Sequence, residues 1–157
     1  MDLVKFNKDV ADIANSTTRL VEYTKKIQDI GPGFNPMSAP LYLRDFIMAY
    51  DLAGAALAKA MRCDLEADHA LEVAEAIAYL ERAPEYLKEK GLRDTVESKK
   101  YVVDLDPDVR VAKEMKAKTM ALVAFYKTKA QGFRMALETL KKIAYGGDAF
   151  RSPEEGM

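Results

Sequence analysis

The sequence predicts an all-α protein: an elongated bundle or hairpin of about four helices that associates with other copies through its long helices. Apolar stripes at helical spacing, one Gly/Pro-rich interruption and a clear helix start at Asp106–Pro107 carry that expectation. No stretch alternates with the period of a strand.

A first helix is expected over about Asp2–Ile30. Phe6, Val10, Ile13, Thr17, Leu20, Thr24 and Ile27 recur at alternating four- and three-residue steps, the a/d stripe of a helix that packs on another. Asp9, Asp12, Arg19, Glu22 and Lys25 lie off the stripe. Gly31 and Pro32 stop the helix, and Pro36 and Pro40 are expected to keep it from resuming.

A second, long helix is expected over about Pro40–Ala83. Leu43, Phe46, Tyr50, Ala53, Leu57 and Ala60 form one stripe; Leu71, Val73, Ile77 and Leu80 form another after RCDLEADH. The shift between them predicts a bend, a kink or a change of packing neighbour near Asp64. The alanines of AGAALAKA permit close helix approach. Pro84 removes one backbone hydrogen bond, so it either kinks this helix or begins a new turn.

The chain then turns around Gly91. Asp94, with Glu97 three residues on, reads as a capping-box start for a short helix over about Thr95–Val102. For the last helix, Asp106 is the N-cap, Pro107 fills the first position and Asp108 complements the dipole. It runs to about Tyr145 with Val109, Ala112, Val123, Tyr126, Ala130, Phe133, Leu137, Leu140 and Ala144 on one stripe, and Gly146-Gly147 stops it. Residues 1–147 are expected to be one helical domain and 148–157 a polar, mobile tail.

Helices this long carry more apolar surface than one thin hairpin covers. Each large aliphatic side chain left unburied forgoes on the order of 1.5–3 kcal/mol. Homo-oligomerisation is therefore expected, with Phe133, Leu137 and Leu140 in the seam.

The 157 residues are 49% hydrophobic and 31% charged, enough for one domain with a real core. Lys and Arg number 24 against 25 Asp and Glu, a net charge of −1. That balance counts against a phosphate-binding protein unless the charge is segregated, and it is. Over 64–89 the acids Asp64, Glu66, Asp68, Glu72, Glu75, Glu81, Glu85 and Glu89 face only Arg82 and Lys88. Over 106–145 the cations Arg110, Lys113, Lys116, Lys118, Lys127, Lys129, Arg134, Lys141 and Lys142 outweigh the acids. Either an acidic helix packs beside a basic one, trading weak exposed ion pairs, or a basic face stays free for phosphates.

Catalysis finds little support. His69 is the only histidine and lies in a charged run, and Cys63 is the only cysteine, with no second ligand at metal spacing. Glu72 and Glu75 suit a di-metal bundle in spacing, but that site needs two histidines. No phosphate-binding glycine loop is present. No enzyme, cofactor or metal is expected. A single cysteine forms no intrachain disulfide and suits a reducing cytoplasm. MDLVKFNKDV lacks the pattern of a signal peptide, and no apolar run approaches a membrane span. A soluble, cytoplasmic protein is expected.

For nucleic acid, the candidate surface is the turn and short helix. Lys88, Lys90, Arg93, Lys99 and Lys100 are placed to neutralise phosphates, and Tyr101 or Tyr86 to stack on a base. The same residues also read as an ordinary solvated turn.

The order from Thr95 to Tyr145, a short polar helix, an Asp-Pro-Asp-Val junction and a long basic helix, resembles the C-terminal half of the phage recombination mediator proteins of the UvsY type. The matching positions are Lys100, Val102, Asp106, Asp108 and Val109, then Leu122 and Phe125, and finally Lys141 and Ile143. The resemblance implies a non-enzymatic, all-helical, ring-forming protein that binds single-stranded DNA. Such a protein helps a RecA-like recombinase replace the single-strand-binding protein, in the host cytoplasm if phage-encoded. The T-even type carries a basic pair on the preceding helix; Ala74 and Ala76 stand there in this chain, among acids. No DNA contact is carried over from that pair. Either the basic site has moved to the Lys88–Lys100 region, or binding is weak, or the activity differs. The alternative is a non-enzymatic helical module of phage assembly or of the virion.

Overall fold

The structure is a computed structural model that describes residues 3–145. Five α-helices follow in order: α1 Leu3–Ile27, α2 Ala39–Ile77, α3 Ala83–Glu89, α4 Val96–Leu105 and α5 Pro107–Tyr145. A 3₁₀ turn at Pro36–Ser38 precedes α2, and a π-helical turn at Ala78–Arg82 joins α2 to α3 without a break. No strand occurs among the described residues, so the all-α expectation holds. The Gly146-Gly147 stop and the tail lie outside the described residues.

The breaks follow local chemistry, with one correction. Pro40 does not hold the chain off helix; it sits in the first turn of α2, where its missing N–H costs nothing. Pro84 begins a new turn, one of the two outcomes expected of it: α2 ends at Ile77 and Pro84 lies in the first turn of α3. The N–H of Ala83 reaches back five residues to the carbonyl of Ala78, and the widened turn accommodates the proline in the first turn of α3. α2 stays α-helical through Asp64.

Two compact units emerge, one from residues up to Val10 with Ala60–Val123, the other from Ala11–Lys59 with residues from Ala124 onward. In the second, Ile13 and Leu20 of α1, Phe46 and Ala53 of α2, and Tyr126, Phe133 and Leu140 of α5 are buried. The Phe46 and Phe133 rings lie 6.0 Å apart. The Tyr126 hydroxyl hydrogen-bonds the Ile13 carbonyl and lies 2.8 Å from Thr17 Oγ1, so this buried phenol is satisfied. Phe133 and Leu140, expected in an intersubunit or intrachain seam, are 0% exposed. Their surface is already covered within the chain, and Leu137 is half-buried.

In the first unit, Phe6 of α1, Ala60, Cys63 and Ala67 of α2, and Val109, Ala112 and Met115 of α5 are buried. Of the first stripe expected on α2, Leu43, Phe46, Ala53 and Ala60 are buried and Tyr50 is exposed. The second needs correction: Val73, Ile77 and Leu80 are exposed, while Ala67 and Ala78 are buried. Small residues there let helices approach closely.

Candidate nucleic-acid interface

The six residues expected to meet DNA lie on or between α3 and α4. Ala83 and Leu87 of α3 pack against Val102 of α4, and the turn between them is closed at both ends. Gly91 adopts φ +63°, with its N–H on the Lys88 carbonyl at 3.2 Å and the Leu92 N–H on the Leu87 carbonyl at 2.9 Å. This paired pattern ends α3 in a left-handed residue that glycine supplies without steric cost. At the other end, Thr95 rather than Asp94 caps α4. Thr95 Oγ1 accepts from the Ser98 N–H at 3.2 Å, and Ser98 Oγ accepts from the Thr95 N–H at 3.0 Å. Asp94 instead takes an ion pair from Lys99 at 3.1 Å. The helix extends past Val102 to Leu105.

The candidate cations divide into committed and free. Lys99 is half-buried, paired with Asp94 and held 5.4 Å over the Tyr79 ring. Its charge is spent inside the fold. Lys90 lies 5.8 Å from the centroid of Tyr86. Lys88, Arg93 and Lys100 are exposed and have no ion-pair partner among the described residues. Tyr101 is 65% exposed, so its ring is open to a stacking partner; Tyr86 is 39% exposed, with Lys90 already over one face of its ring. Lys100 also borders a cleft of about 370 Å³ walled by Glu75, Tyr79, Val103 and Asp104.

In the N-terminal half of α5, Lys113 and Lys116 are neutralised by acids. Lys113 Nζ lies 2.8 Å from Asp104 and 3.9 Å from Glu75. Lys116 Nζ lies 3.1 Å from both Asp64 and Asp68. Burial opposes the charge on Lys116, yet the hydrogen bonds to Asp64 and Asp68 outweigh it and raise its pKa. Asp64 also accepts from the buried Thr119 hydroxyl at 2.8 Å. Of the two readings of charge segregation, the acidic helix packed beside the basic one describes these residues.

A clasp that the sequence analysis missed fixes the hairpin to the start of α5. Arg82, carried on the π turn, donates through Nη1 to both carboxylate oxygens of Asp106, at 3.0 and 2.9 Å. Its Nη2 lies 2.6 Å from Asp108. Asp106 Oδ1 meanwhile accepts from the N–H groups of Asp108 and Val109, at 2.9 and 3.2 Å. Burial pushes the Asp106 carboxyl up, but Arg82 and the two N–H groups outweigh it and hold it below the usual carboxylate range. The N-cap was legible in sequence. A partner 24 residues earlier was not.

Elsewhere the chemistry is sparse. His69 is exposed. Cys63 is buried, and burial foremost raises its thiol pKa, with Asp9 and Glu66 adding to it. Among the described residues no group of three or more His, Cys, Asp or Glu could hold a metal ion. No helix among them is long and apolar enough to cross a membrane. Compared with models of protein families, with curated proteins and with solved structures, the chain matches none.

Proposed function

We propose that this protein is a non-enzymatic accessory factor that binds single-stranded DNA as a homo-oligomer in the cytoplasm. In this reading it helps a RecA-like recombinase take the place of a single-strand-binding protein. The free cations Lys88, Arg93 and Lys100 beside the exposed rings of Tyr86 and Tyr101 carry the DNA-binding part. Cations that release counterions from phosphates, next to aromatic faces that accept any base, suit a strand bound without sequence preference. The recombinase and single-strand-binding protein are supported by the resemblance of Thr95–Tyr145 to the recombination mediators. The α4, Asp106 cap and α5 succession keeps the order of parts on which that resemblance rests.

A fluorescent single-stranded oligonucleotide tests this reading: it should be retarded by the intact protein at low salt. No retardation at low salt contradicts it. A second reading, a helical assembly module, is favoured by the exposed Leu65, Val73, Ile77 and Leu80 on α2 and the π turn. Self-association without DNA binding would select it.

A further inference from the structure

Two exposed faces remain unused by the fold and by the DNA-binding tip, and they complement one another. On the C-terminal half of α2 and the π turn, Leu65, Val73, Ile77 and Leu80 are exposed at 69%, 43%, 37% and 71%. Glu72 and Glu81 are exposed among them, with no ion-pair partner among the described residues. On the C-terminal half of α5, Lys127, Arg134 and Lys141 are exposed at seven-residue spacing, beside Met135 at 60% and Tyr145 at 69%. Arg134 shares its charge with Glu138, at 3.2 Å, while Lys127 and Lys141 have no partner among the described residues. One face is apolar with acidic flanks; the other is basic with apolar side chains and long aliphatic stems that cover apolar surface.

We propose that these faces dock on each other between copies, the acidic ridge of one chain against the basic stripe of the next. At about 1.5 Å rise per residue, Leu65–Leu80 and Lys127–Lys141 each span roughly 21–22 Å, so the two faces match in length. Exposed large apolar residues repeated along one face favour a partner, and the opposite charges supply register and select this one. The faces lie on different parts of the chain, so the contact is heterologous. Each copy keeps one of each face to offer onward, and association continues until it closes on itself or extends. This rests on the homo-oligomeric part of the proposed function and adds the surfaces that build it; it does not depend on DNA binding.

The test is a charge swap read by light scattering at micromolar concentration, with circular dichroism as the check on folding. The wild-type protein should exceed its chain mass of 17.5 kDa. Lys127→Glu with Lys141→Glu, and separately Glu72→Lys with Glu81→Lys, should each weaken self-association at least tenfold while keeping helicity. Mixing the two variants should restore the large species, because each then meets an oppositely charged face. If a double variant loses helicity, Lys127→Gln with Lys141→Gln serves in its place and should still lower the mass. A monomeric wild type overturns the proposal. So does an oligomer unmoved by either swap, which leaves the homo-oligomer intact and places its interface elsewhere. Unchanged mass with lost retardation of single-stranded DNA in the Lys127/Lys141 variant overturns it too, and assigns the stripe to nucleic acid.

Discussion

Replacing Asp106 separates the two jobs that one carboxylate performs. Asp106→Ala removes the acceptor of two N–H groups at the start of α5, a capping loss of about 0.5–2 kcal/mol. It also strips Arg82 of its bidentate partner. The Arg82 side chain is 45% exposed, so water replaces much of that interaction and the added cost is about 1 kcal/mol. The sum is about 1.5–3 kcal/mol, a fall in Tm of roughly 3–12 °C for a chain of this size. Asn caps as well as Asp, so Asp106→Asn should lose only the ion pair, about 1 kcal/mol. Thermal and urea unfolding followed by circular dichroism measures both. The carboxyl titrates lower in the folded than in the unfolded chain. Its stabilisation is therefore complete above the unfolded value of roughly 3.9, and is lost as pH falls through the folded one. The gap between wild type and Asp106→Asn should be flat near neutrality and close in acid. Equal losses for Ala and Asn, or a gap that widens in acid, would refute the clasp.

The remaining expectations concern packing and charge. Tyr126→Phe should destabilise by about 1–2 kcal/mol in urea unfolding, because it removes the buried hydroxyl that bonds the Ile13 carbonyl and Thr17 Oγ1. Ala60→Leu should cost about 1–3 kcal/mol by the same measurement, since Ala60 is 0% exposed on the inner face of α2. Lys113→Ala should leave affinity for single-stranded DNA within about twofold in fluorescence anisotropy, because Asp104 and Glu75 already occupy that charge.

Local chemistry was legible and tertiary choice was not. The Asp106–Pro107 start of α5, the Gly91 turn and the a/d stripe of α1 rest on neighbours a few residues apart, and each appears as read. On α2 the first stripe appears as read at Leu43, Phe46, Ala53 and Ala60, with Tyr50 the exception. In the second, size pointed to Val73 and Ile77, whereas close packing selected Ala67. Asp94 and Thr95 are adjacent and both good caps; Lys99 draws Asp94 away and leaves the cap to Thr95. At the candidate site, residue types alone did not separate Lys99, paired and half-buried, from Lys100 one position later. The difference lies in Asp94 and the Tyr79 ring, which both engage the Lys99 ammonium. The π turn follows from Pro84 meeting a helix that tertiary packing keeps continuous, and no sequence period announces it.

The salt dependence of binding to a labelled single-stranded oligonucleotide weighs most on the functional claim. Wild type and the Lys88→Ala/Arg93→Ala/Lys100→Ala variant should be compared from low to physiological salt, with the oligomer mass checked in parallel. The wild-type affinity should fall linearly in log–log form, and the variant should bind more weakly. Its slope should be shallower by about 0.7 for each phosphate contact removed. Equal affinity and equal slope in the two proteins at the same mass, or no binding by either at low salt, would contradict a strand-binding surface at the α3–α4 tip.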